Sequence, residues 1–193
     1  MQRLAKLSAL AVAAAAAMSM LTGCPAAQKA SPIASNAPEW VNKGSGAFKD
    51  GQGGAVFYGV GIAQGIRNRA LQVTAADDRG RAEIAKIMNS YVVVLTKDYM
   101  ASVTAGDMSK SSEEQMVSQT MKNFAKFTLH GATPIAHWKD PADGTMFSLV
   151  KLDMSSVKKS LDDSKELDSK MRDYVKANAE KAHDELAAEE AKH

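Results

Sequence analysis

The 193-residue chain holds a single cysteine, Cys24, so neither an intrachain disulfide nor a multi-thiolate metal centre can form. It contains no G-x-S-x-G elbow, and with Cys24 committed to the role argued below no thiol nucleophile remains. It also lacks an apolar run long enough for a membrane span. Leu7 to Met20 is the longest such stretch; it is dominated by alanine and falls short of the roughly 20 residues a bilayer requires. An excess of charge is missing too. If residues 1–23 are removed, Arg3 and Lys6 go with them and no acid does, so the 24 basic side chains fall by two to equal the 22 acidic ones. A neutral chain lacks the electrostatic footprint of a nucleic-acid binder.

What is there begins with Arg3 and Lys6, the apolar segment, and then Leu21-Thr22-Gly23-Cys24. Charges followed by a short apolar core form an export signal. The last four residues resemble the lipobox of bacterial lipoproteins, in which an aliphatic residue and two small residues precede the acylated cysteine. The resemblance implies cleavage between Gly23 and Cys24, a diacylglycerol thioether on Cys24 and an N-acyl chain such as palmitate. Several acyl chains at about 0.8 kcal/mol per buried CH₂ hold a protein on its membrane. Residue 25 is proline rather than the aspartate of inner-membrane retention signals, so the expected location is the outer membrane, facing the periplasm.

Residues 25–38, PAAQKASPIASNAP, read as a disordered tether reaching about 20 Å. The folded part is expected to begin at Pro38-Glu39-Trp40-Val41. Val56 to Ala63 alternates, placing Tyr58, Val60 and Ile62 on one side and Phe57, Gly59, Gly61 and Ala63 on the other, which predicts a strand with one small face. Residues 68–90 change to helical spacing through Val73, Ala76, Gly80, Ile84, Ile87 and Met88, a helix able to lie close on that small face. The β-branched run Tyr91 to Thr96 predicts a central strand. Ser111-Ser112-Glu113-Glu114 reads as a capping box opening a helix through Val117, Met121, Phe124 and Phe127. Residues 132–138 and 145–152 flank Asp140-Pro141-Ala142-Asp143-Gly144, a hairpin turn signal. From Met154 onward Val157, Leu161, Met171, Val175, Ala182 and Leu186 predict a long polar helix with a thin apolar stripe. Three readings of that helix stay open: laid on its own sheet, binding a partner or another copy, or extending into solvent.

Three landmarks together carry a further resemblance: Pro38-Glu39-Trp40-Val41 leading to Tyr58-Gly59-Val60-Gly61-Ile62-Ala63; Arg79-Gly80-Arg81-Ala82-Glu83-Ile84-Ala85; and His137-Trp138-Lys139-Asp140 through Gly144 to Leu149-Val150-Lys151-Leu152-Asp153. In this order, over residues 38–155, the chain resembles the lipoprotein-20 (LPP-20-like) family of small bacterial lipoproteins, which includes a flagellar assembly lipoprotein. The resemblance implies a dodecin-like α+β fold, a small antiparallel sheet of three to four strands packed by one or two helices. It also implies an envelope role without catalytic residues.

Other chemistries fit poorly. Gly59-Val60-Gly61-Ile62-Ala63-Gln64-Gly65 places its third glycine one position too late for a dinucleotide fingerprint, so packing is the expected use of these glycines. His130, His137, His183 and His193 do not show ligand spacing with carboxylates or thiols. Asp140, Asp143 and Gly144 depart from a calcium loop, and a turn accounts for them. Asp77 falls near the apolar stripe with Arg81 at i+4 as a candidate partner; the expected placement is at the stripe's boundary rather than as a functional acid. The methionines are expected to be packing residues.

The organisation expected is a signal peptide (1–23), a lipidated tether (24–37), an α+β domain (38–153) and a polar C-terminal helix (154–193). The expected function is a non-enzymatic envelope lipoprotein, structural or protein-binding, possessing no cofactor and no metal. Its partners would be the membrane, through acyl chains on Cys24, and either further copies of itself or another envelope protein. The alternative is a tethered periplasmic module that binds a small ligand between sheet and helix.

Overall fold

The computed structural model describes residues 36–103, 111–164 and 167–192, without the side chains of 111–114. The expected signal peptide (1–23), Leu21, Thr22 and Gly23 read as a lipobox, Cys24 read as the lipidation site, the expected tether up to residue 35, His193 and the side chains read as a capping box therefore lie outside the described residues. Ile33–His193 forms one compact unit.

Pro38 is extended, and the chain then turns into the short helix α1 (Glu39–Lys43), which stops at Gly44 with φ 79°. Two strands follow, β1 (Gly46–Lys49) and β2 (Ala55–Ala63), paired antiparallel with Gly46 opposite Tyr58. In the connection the Asp50 carboxylate accepts hydrogen bonds from the backbone N–H groups of Gln52 (2.9 Å) and Gly54 (2.7 Å). Strand β1 is short and carries little alternation, and for that reason sequence patterning gave no sign of it.

Helix α2 (Arg69–Val103) is opened by Asn68, whose side-chain oxygen accepts from Leu71 N at 3.1 Å. It runs for 35 residues and absorbs Tyr91 to Thr96. The strand expected there does not exist. Tyr91, Val92 and Leu95 are buried and continue the spacing of Ile84, Ile87 and Met88 around the helix, so apolar partners on that face outweigh the β propensity of three consecutive valines. Helix α3 (Ser111–Thr128) lies against α2, with Met121 and Phe124 buried but Phe127 exposed, contrary to its place on the expected stripe.

After a 3₁₀ turn at Leu129–Gly131 come β3 (Thr133–Lys139) and β4 (Met146–Asp153). The hairpin is the one expected. Gly144 takes φ 74°, Asp140 Oδ1 accepts from Ala142 N and Asp143 Oδ1 from Thr145 N, both at 2.8 Å. The sheet order is β1-β2-β4-β3, antiparallel throughout, with a register shift between Pro134 and Ala136 on the β3 edge, where proline is tolerated. The fold is therefore α+β on a four-stranded antiparallel sheet.

One face of the sheet, through Phe57, Val150 and Leu152, meets α2 and the main core. The other carries Tyr58, Val60, Phe147, Leu149 and Trp138, and among the described residues α1 is the helix that packs there, through Trp40 and Val41. The C-terminal region is two helices rather than one. α4 (Met154–Asp163) ends near Ser164, and α5 (Ser169–Glu190) starts afresh with Asp168 accepting from Met171 N at 2.8 Å. The stripe read from sequence is buried in both: Val157, Leu161, Met171, Val175, Ala182 and Leu186 join the same core as Phe57 and Ile84. Of the three readings left open for this region, the structure takes the first, with α5 laid along β1 and α2.

Candidate functional site

The residues that invited chemical readings lie mostly where α2 crosses the sheet. Gly59 and Gly61 face this helix, and a Cβ on Gly61 would lie 1.9 Å from the carbonyl oxygen of Ala76; one on Gly59 would lie 2.1 Å from that of Gly80. Such separations are far inside van der Waals contact, so helix and strand touch backbone to backbone. The glycines serve packing, and the space between this helix and strand is closed. At its near end Gln72, buried on α2, donates from Nε2 to Ala63 O (3.2 Å) and Gly144 O (2.9 Å), tying the helix to the end of β2 and to the β3–β4 turn. Arg79 also donates to the carbonyl of Ile62.

Asp77 is the chemically suggestive member of this interface. Arg81 is not its partner; it pairs with Asp78 at 3.2 Å. Instead Asp77 Oδ1 accepts from Ser148 Oγ and from His137 Nε2, each at 2.6 Å. His137 and Ser148 are cross-strand partners on the same sheet face, so one carboxylate on the helix receives a donor from each strand of the hairpin. A serine, a histidine and an aspartate thus converge, but in the wrong order for nucleophilic catalysis. In a triad the imidazole bridges hydroxyl and carboxylate, whereas here the carboxylate is in the middle and Ser148 is fully buried. The cluster clamps α2 to the hairpin. Its signal in the sequence was the position of Asp77, four residues after Val73 and three before Gly80. Nothing local to His137 or Ser148 announces that they share one acceptor.

The remaining histidines disperse. His130 stacks edge-on against Phe127, with ring centroids 5.9 Å apart. His183 is fully buried on α5, where Nε2 lies 3.1 Å from Val56 O and Nδ1 3.2 Å from Asp184 Oδ1. Lys49, then His183, hold the Asp184 carboxyl below its ordinary value. Asp143 is likewise held low, chiefly by the Thr145 backbone N–H. Tyr91 is buried and donates to Ala179 O at 3.0 Å; burial pushes its phenol far up. Met88, Met121, Met146, Met154 and Met171 are core residues.

Open concavities occur at the helix seams. One of about 470 Å³ runs between α2 and α3 along Val92, Val93, Thr96, Lys97, Ser118 and Lys122. Val92, Val93, Met100 and Ala101 give it an apolar part and Thr96, Lys97, Ser118 and Lys122 a polar one, and among the described residues no acid or histidine lines it. A smaller hollow of about 290 Å³ lies beside α1, between Trp40, Phe48 and Tyr58.

The comparisons with known proteins return no family: no protein-family model and no curated protein sequence matches this chain.

Proposed function

We propose that this protein is a lipid-anchored lipoprotein of the cell envelope, held in the outer membrane by acyl chains on Cys24, whose α+β domain serves a non-catalytic, structural or protein-binding role. The observation that carries the reading is the placement of the sole cysteine directly behind Leu21-Thr22-Gly23 and a charged, apolar leader. The arrangement of Asp77, His137 and Ser148 supports the non-catalytic part, because the acid is used up as a clamp between helix and hairpin. The resemblance of residues 38–155 to lipoprotein-20 proteins points the same way. Membrane fractionation of the wild type and of Cys24→Ser tests it. The wild type should stay with membranes after a carbonate wash and take up labelled palmitate, and the variant should do neither. A variant that still pelleted wholly with washed membranes would refute the lipid anchor.

A second reading, a tethered module that binds a small ligand, is favoured by the α2–α3 groove. It no longer rests on a cavity between α2 and β2, where the glycine contact leaves no room. Native mass spectrometry of the purified protein should reveal a retained small molecule if this reading is correct, and the bare mass of the chain if it is not.

A further inference from the structure

The face of the sheet turned away from α2 has an unusual composition for a surface that only α1 covers among the described residues. Trp40, Phe48, Tyr58 and Trp138 are each half-buried there, and Ile62 is 43 % exposed at its end. The chain has two tryptophans in all, and both are on this side. The rings pack below on Phe147 and Leu149, with Trp138 and Phe147 centroids 5.3 Å apart and Phe48 and Tyr58 6.0 Å apart. Lys43 lies over the Phe48 ring, its Nζ 4.4 Å from the centroid. Rings with an apolar body and a polar tip, beside a lysine able to extend its amine toward water, are what a membrane–water interface accommodates.

The chain's own course says which surface meets the bilayer. Ala37 packs on this face and α1 follows it, so the described chain begins on this side of the domain rather than at α2 or α5. Twelve residue steps separate Cys24 from Asn36, at most about 40 Å at full extension. An acylated Cys24 would therefore keep this side of the domain nearest the lipid.

We propose that the α1-bearing face of the sheet is a membrane-docking surface, laid on the phospholipid bilayer with Trp40, Tyr58, Ile62 and Trp138 at the headgroup level. This rests on the lipid-anchor reading. Charges around the face are mixed, Lys43 and Lys151 against Glu39, Asp50 and Asp153. The docking is thus driven by rings and apolar area, and salt should weaken it little.

The test uses the full lipidated chain in vesicles of phosphatidylethanolamine and phosphatidylglycerol with brominated acyl chains, after flotation. Tryptophan emission should be mostly lost relative to unbrominated vesicles, in wild type and in each of Trp40→Phe and Trp138→Phe. The loss should persist at high salt. A reporter moved to the outer side of α2, Leu71→Trp in the Trp40→Phe/Trp138→Phe background, should keep its emission. Protein that floats while its tryptophans are quenched by aqueous iodide and not by brominated lipid overturns the docking and leaves the anchor standing. Tryptophans shielded from both, in a species of twice the monomer mass, assign the face to a second copy and overturn it too. Protein that does not float refutes the anchor and the docking together.

Discussion

The imidazole of His183, near the end of α5, bonds from Nε2 to the carbonyl oxygen of Val56, 127 residues earlier on β2. A ring nitrogen facing a carbonyl must carry the proton, so His183 donates. The ring also stands edge-on to Phe57, centroids 5.0 Å apart. Two further contacts close the same seam: Glu190 accepts from the backbone N–H of Ala47 at 2.7 Å, and Lys49 pairs with Asp184. A strand at the border of a sheet exposes unpaired backbone groups that invite association. Here the outward N–H of Ala47 on β1 is taken up by the Glu190 carboxylate of the C-terminal helix.

His183→Ala should therefore act as a core mutation, costing about 2–4 kcal/mol through the lost buried ring and its contacts with Phe57. Glu190→Ala should cost about 1 kcal/mol and speed hydrogen exchange at the Ala47 amide. Urea unfolding and exchange measurements check both. A neutral His183→Ala would mean that α5 does not hold β2.

Removal of residues 167–193 should abolish cooperative unfolding. It would uncover Tyr91 and Phe57 and remove Met171, Val175 and Leu186 from the shared core. The truncated chain should bind a hydrophobic dye and aggregate. A soluble truncation with a sharp transition would show α5 to be an appendage.

Gly61→Ala should destabilise by about 2–4 kcal/mol, because the obstacle to the new methyl is the Ala76 backbone and no side chain can move aside. Gly51→Ala, with nothing within 4 Å of the added carbon, should stay within about 0.5 kcal/mol of wild type. Paired denaturation curves decide the matter.

Asp77→Ala should cost about 2 kcal/mol, since the buried Ser148 hydroxyl loses its acceptor. In a Ser148→Ala background the same change should cost less, and a double-mutant cycle reads the difference. Equal costs in both backgrounds would remove the clamp from the account.

At high pH, Tyr91 sets the expected trend. Its phenol is raised in the folded state by burial, while in the unfolded chain it ionises at about pH 10. Only the folded state keeps that proton, so its stabilising share is complete below about pH 10 and is lost as pH rises through the folded value. Phenolate absorbance from Tyr91 should appear together with the loss of circular dichroism, and Tyr91→Phe should flatten the decline.

Periodicity carried far along this chain because each local element buries one face. The alternation of Val56 to Ala63, the Asp140–Gly144 turn and the 3-4 spacing of Val157, Leu161, Met171 and Val175 are local signals of this kind, and all three are found as read. The small residues Gly59, Gly61 and Gly80 also announced the close crossing of helix and strand, since a contact of that kind excludes any Cβ. Tyr91 to Thr96 shows the limit. Three valines in a row favour a strand locally, but Tyr91, Val92 and Leu95 find apolar partners only if the turn of α2 continues, and that is a property of α3 and α5 rather than of the segment. The break at Ser164, the edge strand β1 and its cover by Glu190, and the convergence of His137 and Ser148 on Asp77 belong to the same class. The sequence by itself determined most of the helical and strand faces, because these follow from residue type and spacing. The tertiary structure alone decided which polar groups met, because a buried donor takes whatever acceptor the packing brings within about 3 Å.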